Sequence, residues 1–265
     1  LFFVIPENYN LPVFIRVFDP DCGGVNDENR GGFNSTTKFS VYGGNNAFNK
    51  SEDANRLKVT GYNSGNLLFT KTFGEDPKYD NQYYSFGPIN PNEGQLISQF
   101  GGRVFKLVIE GGIGDDGNLY KFFLSSSPKE NKAIEGGNAF TYEYTFRLHD
   151  KGPSISHIYP YIDNETVSVK INNFDFDNDA LLRVVSVAKK GINLTGSNDN
   201  EWKLDQLIID PKEKGSSYDI QIIKKKSSKD NNVAFFVTNQ YGKFLPFFSV
   251  PIGGVPKYNY KIGVK

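Results

Sequence analysis

Phe14-Ile15-Arg16-Val17-Phe18-Asp19-Pro20-Asp21-Cys22-Gly23-Gly24-Val25-Asn26-Asp27-Glu28 is an apolar strand running into a loop crowded with carboxylates and glycines. Aromatic and β-branched residues suit a pleated, half-buried strand. Asp-Pro and Gly-Gly end it, because Asp bonds its own backbone and Gly supplies positive φ. Gly111-Gly112-Ile113-Gly114-Asp115-Asp116-Gly117-Asn118-Leu119-Tyr120 repeats the layout in reverse, with Phe122 and Phe123 following it. Outward from these two loops, apolar strands fall at about residues 1–5, 13–18, 38–42, 66–73, 82–86, 103–110, 119–124 and 139–148. Turns of Gly, Pro or Asn bound each one. Eight such strands predict a sandwich of jelly-roll type.

Phe140, Tyr142, Tyr144 and Phe146 alternate cleanly and then give way to the polar joint His149-Asp150-Lys151-Gly152-Pro153. The domain boundary is expected there. Shorter alternating strands follow at about 155–158, 167–171, 181–187, 202–207, 218–223, 233–237 and 244–250. The expected fold class is all-β: a jelly-roll-like sandwich over 1–150, then a second sandwich over 151–265. Ser51 is a good N-cap for one helical turn within 45–63, and Tyr258, Tyr260, Ile262 and Val264 predict a C-terminal strand with one apolar face.

Composition agrees. With 265 residues the chain can bury two cores, and 23 Phe, 15 Tyr and 27 Gly are a β-rich usage. A formal net charge of +0 offers no bulk attraction to a polyanion, which argues against nucleic acid as a partner. Lys224-Lys225-Lys226 with Lys229 reads as a charged hairpin end. A single Cys excludes an internal disulfide. Met is absent even at position 1, so the sequence predicts a processed or cropped chain, most simply one relieved of a signal peptide. No apolar run approaches the roughly 20 residues of a membrane helix, and the strands lack the ~10-residue cadence of an outer-membrane barrel. The expectation is an exported protein of the periplasm or cell surface with no membrane insertion of its own.

Calcium takes six to eight oxygens and favours flexible, glycine-rich acidic loops. Asp19, Asp21, Asp27 and Glu28 in one loop, with Asp115, Asp116 and Asn118 in the other, are the candidate ligands of a structural Ca2+ shared between the two. The competing reading is that these residues simply build turns. Asp175, Asp177 and Asp179 also alternate, but Ala180 stands where an EF-hand loop needs Gly, and that cluster reads as a solvated turn. No enzyme is expected. His149 and His157 lie beside no nucleophile, Cys22 sits among carboxylates that raise its pKa, and Ser125-Ser126-Ser127 lacks a glycine-flanked elbow. A sugar platform would draw on Trp202, Tyr42 or one of Tyr83 and Tyr84, whose side chains face opposite ways on a strand.

Two stretches of the second half carry a resemblance. Leu207-Ile208-Ile209-Asp210-Pro211 followed by Lys214-Gly215-Ser216-Ser217-Tyr218-Asp219-Ile220-Gln221-Ile222 resembles the corner of fibronectin type III and immunoglobulin-like domains. There a Tyr hydroxyl bonds back to the loop's backbone. Phe236-Val237-Thr238-Asn239-Gln240-Tyr241-Gly242-Lys243 resembles an immunoglobulin-like strand and turn, without the antibody cysteines. Phe3-Val4-Ile5-Pro6 with Pro12-Val13-Phe14-Ile15-Arg16-Val17 resembles secreted sandwiches of the pre-peptidase C-terminal type. Taken whole, the chain resembles exported two-domain proteins of Bacteroidota, and over residues 1–150 the periplasmic plug subunits of the type 9 secretion translocon. That resemblance implies a non-enzymatic part bound to a large outer-membrane β-barrel, whose pore it occludes. The alternative is a calcium-dependent carbohydrate-binding or adhesion module.

Overall fold

The structure is a computed structural model that describes residues 1–49, 64–148, 152–177, 180–224, 226 and 232–253. The expected cap at Ser51, the joint residues His149 to Lys151, Asp179, Lys225, Lys229 and the alternating tail lie outside the described residues. Among those described, ordered elements are antiparallel strands, and helix is confined to 3-10 turns such as Pro91–Glu93 and Pro211–Glu213. The expected all-β class holds. The chain divides into two compact units, Leu1–Ala139 and Phe140–Lys265.

The first unit contains β1 (Phe2–Pro6), β2 (Val13–Phe18), β3 (Thr37–Gly43), β4 (Asn66–Phe73), β5 (Tyr83–Ile89), β6 (Gln95–Ile97), β7 (Gly102–Gly111) and β8 (Lys121–Ser125). One sheet runs β1-β7-β3-β4 with β6 also on β7, and the other runs β5-β2-β8. Strict alternation places Phe3 and Ile5, Val13, Ile15 and Val17, Phe39 and Val41, and Phe105 and Leu107 in one buried core. At about 25 cal/mol per Å² of apolar surface, this burial is the main drive to fold. Tyr84 packs on Phe73, Tyr79 and Phe86, while its neighbour Tyr83 faces the other way beneath the Arg16 guanidinium, 4.2 Å from the ring centre.

The segment read as one strand over 139–148 is two. β9 (Asn138–Thr141) ends before Tyr142, and β10 (Glu143–Arg147) pairs with β18 (Asn232–Asn239). The division between units falls at 139/140, within β9 and ahead of the polar joint. β11 (Ser154–Ile162), β12 (Ser168–Phe174), β13 (Ala180–Val185), β14 (Lys190–Leu194), β15 (Trp202–Ile208), β16 (Ser216–Ser217), β17 (Asp219–Lys224) and β19 (Phe247–Phe248) complete the second unit. Its sheets are β14-β13-β17-β11-β19 and β10-β18-β12-β15. Ile171, Phe235 and Val237 of one meet Leu182, Val184, Ile220 and Ile222 of the other.

β12, β13, β15 and β17 hold the places of strands B, C, E and F of an immunoglobulin sandwich. The strand before β12 and the strand after β17 are exchanged: β11 pairs with β17, where G would lie, and β18 pairs with β12, where A would lie. Tyr218 does stand at the corner before β17 with no exposure, but its hydroxyl donates to the Glu213 carboxylate at 3.0 Å. The backbone bond implied by the resemblance is replaced by this side-chain one, because Asp210-Pro211 turns the chain so that Glu213 points inward as the second half of a capping box.

Candidate functional site

The two acidic loops of the first unit lie side by side. Glu28 N–H donates to Gly117 O at 2.9 Å, and Gly117 N–H donates to Glu28 O at 3.0 Å. Asp116 is the clamp: its carboxylate accepts from Arg30 N–H, Asn34 N–H, Ser35 N–H, the Ser35 hydroxyl and, at 3.6 Å, the Cys22 thiol. These backbone donors hold its pKa far below the usual carboxylate range. Gly114, at φ +80, makes the approach possible, since a Cβ there would stand 2.3 Å from Ser35 Oγ. Burial, together with the Asp116 carboxylate, pushes the Cys22 thiol up, so it is a poor nucleophile.

The remaining candidates separate by role. Asp27 fastens both loops, accepting from Gly23 N–H at 2.9 Å and Leu119 N–H at 2.7 Å. Asn118 donates to Thr37 Oγ1 at 3.1 Å, Glu28 lies 3.9 Å from Arg30, and Asp115 is exposed. Asp19, at φ 56, accepts from Asn26 Nδ2 at 2.6 Å and Asn81 N–H at 2.7 Å. Asp21 is buried beside it, near Asp80 of the β4–β5 loop. Asp80 carries no local mark of a ligand and comes in from some sixty residues along the chain, so sequence reasoning passed over it.

In the second unit Asp175 and Asp177, read as a solvated turn, are joined by Asp199, their ligand atoms all within 4.8 Å of one another. Asp175 accepts from Asn200 N–H at 2.8 Å, and buried Phe176 between the two acids anchors the turn in the core. Asp199 lies in a separate loop, and only the fold brings it there. The unit's other notable surface is apolar. On the outer face of β18-β12-β15, where Phe174 is opposite Trp202 and Asn172 is opposite both Leu204 and Phe236, the rings of Phe174, Trp202, Phe236 and Phe244 form a continuous row. Successive centroids are 5.0, 5.2 and 5.2 Å apart. Trp202, Leu204 and Ile208 of β15 are 48%, 52% and 71% exposed.

His157 Nδ1 is 2.8 Å from Asp219 Oδ1, and its ring stacks on Tyr159. No helix among the described residues is long and apolar enough to cross a membrane.

Comparison with protein-family models and with curated proteins finds no match. Among solved structures the chain is similar to that of infectious bursal disease virus Gt strain, at 12% identity and TM-score 0.19 over 92% of this chain. It is also similar to T=1 particles derived from that virus, at 13% identity and TM-score 0.21, and to its VP2 subviral particle, at 12% and 0.20. The chain spans 60 to 62% of those proteins' lengths, and likenesses this slight carry no weight for its role.

Proposed function

We propose that the chain is a non-enzymatic, exported cell-envelope protein whose second sandwich docks a protein partner through the outer face of β18-β12-β15. The carrying observation is the row Phe244-Phe236-Trp202-Phe174, flanked by Leu204 and Ile208, on a sheet face opposite the core. Contiguous aromatic and aliphatic surface of this kind is costly to leave in water and is typical of interfaces, where Trp supplies much of the binding energy. Successive rings are tilted by 38°, 57° and 38°, so they form a ridged surface suited to interdigitating side chains rather than a flat shelf for a sugar ring. Resemblance to the plug subunits of the type 9 translocon supports a large outer-membrane β-barrel as the partner.

The test is co-purification from Bacteroidota outer membranes with the translocon barrel identified by mass spectrometry, comparing the wild-type chain with Trp202→Lys and Leu204→Lys. The reading expects the barrel with the wild type and its loss with either variant. Equal recovery with all three chains, or a glycan-array signal that depends on Trp202 without any protein partner, overturns it.

A further inference from the structure

The fold gives no internal partner to one carboxylate oxygen. Asp21 is 2% exposed, and its Oδ1 has no hydrogen-bond partner. Its neighbours in charge are Asp19, Asp80 and Asp27, which repel it. Among the described residues, Asp19, Asp21 and Asp80 enter no ion pair. An uncompensated buried carboxylate costs several kcal/mol, so a group of this kind demands a partner. Asp116 and Asp27 are already committed to backbone donors, whereas each oxygen of Asp19 accepts from one donor, Asn26 Nδ2 or Asn81 N–H, and keeps a lone pair.

We infer that Asp21, with Asp19 and Asp80, binds a calcium ion where the Asp19–Glu28 loop meets the β4–β5 loop. The geometry draws these loops together: Gly24 is at φ +73, and a Cβ there would fall 2.1 Å from Asp80 Oδ1. Only glycine leaves room for that carboxylate. The donors are all oxygen and the neighbouring thiol of Cys22 is turned to Asp116, which selects a hard cation over zinc or copper. Asp19, Asp21 and Asp80 do not all lie within 4.8 Å of one another as Asp175, Asp177 and Asp199 do, so an ion held by all three would draw the two loops in around itself. Calcium, with six to eight oxygen ligands in a flexible shell at about 2.3–2.6 Å, tolerates that adjustment better than magnesium with its tight octahedron at about 2.0–2.1 Å. Backbone carbonyls and water would complete the shell.

The experiment is isothermal titration of the chelator-treated full chain with CaCl2 and with MgCl2. The comparison set is the wild type, Asp21→Asn, Asp80→Asn and the double variant Asp175→Asn/Asp199→Asn, each checked for native circular dichroism. The inference expects calcium binding by the wild type, weakened at least about tenfold in Asp21→Asn and in Asp80→Asn because ligand charge sets affinity, and retained by the double variant. Absence of calcium binding by the wild type, undiminished binding by both single variants, or loss confined to the double variant overturns it. Asp21→Asn removes a buried charge rather than a packed side chain, so a folded variant is available for the measurement.

Discussion

Glu213 is a carboxylate with no exposure, and four donors hold it: the Ser186 hydroxyl, Lys189 Nζ at 2.5 Å, Asp210 N–H at 2.8 Å and the Tyr218 hydroxyl at 3.0 Å. Burial and the Glu213 carboxylate push the Tyr218 phenol well above its ordinary range, so it remains a donor throughout the accessible pH scale. A hydrogen bond to a charged group is worth about 1.5–3 kcal/mol. Tyr218→Phe should lower the stability of the second unit by that amount, and Glu213→Ala, which leaves Lys189 uncompensated, by about 3–5 kcal/mol in denaturant unfolding. At Asp21 the sign reverses. A folded pKa of about 6 against an ordinary 3.8 means that the folded state holds the proton more tightly. The stabilisation is full below the lower value and is lost as pH rises through the higher one, on the order of 3 kcal/mol by neutrality. In chelator, Asp21→Asn should therefore exceed the wild type in stability above about pH 6, with the difference fading toward pH 4. A parallel pair of stability curves across that window would show that Asp21 is not ionised against a cost.

The acidic loop elements of the first unit depend on Asp116, which accepts from the main chain on three sides. Its lowered pKa makes the contribution full above the ordinary carboxylate range and lost as pH falls below it. Asp116→Ala should release the 30–35 segment, seen as faster amide exchange at Arg30, Asn34 and Ser35, and should flatten the acid limb of the unit's stability profile. Elements of this kind were readable where the local pattern decides them. β2 and β4 occupy the residues their alternation predicts, because a one-residue slip would expose the whole apolar set. β6 is only three residues long, and β14 contains Gly191 at φ +113, so neither shows alternation long enough to read. The alternation across Phe140 to Phe146 hid a break, because Tyr142 keeps the period while the chain leaves one strand for the next. At the sites, Asp19, Asp21 and Asp116 announce themselves by neighbouring glycines. Asp80 and Asp199 do not, since contact across distant loops leaves no mark in the residues beside them.

At the scale of the whole chain, each unit has its own apolar core, which is what alternation can encode. Strand partners are a different matter. Nothing in the residues of β11 or β18 dictates that the strand before β12 takes the place beside β17 and the strand after β17 the place beside β12. Hydrogen-bond pairing is blind to sequence, so the exchange emerges only when both sheets close. Two cores also mean that the units can be followed separately. Trp202 is the only tryptophan in the chain, and it sits half-exposed on the outer face of the second unit. Selective excitation of indole fluorescence thus reports a single point. Emission from the free protein should be red-shifted by solvent, should move to the blue when that face is covered, and should stay unchanged while the first unit alone melts. The molecule carries its own optical probe, placed where docking is to be watched and silent about everything else.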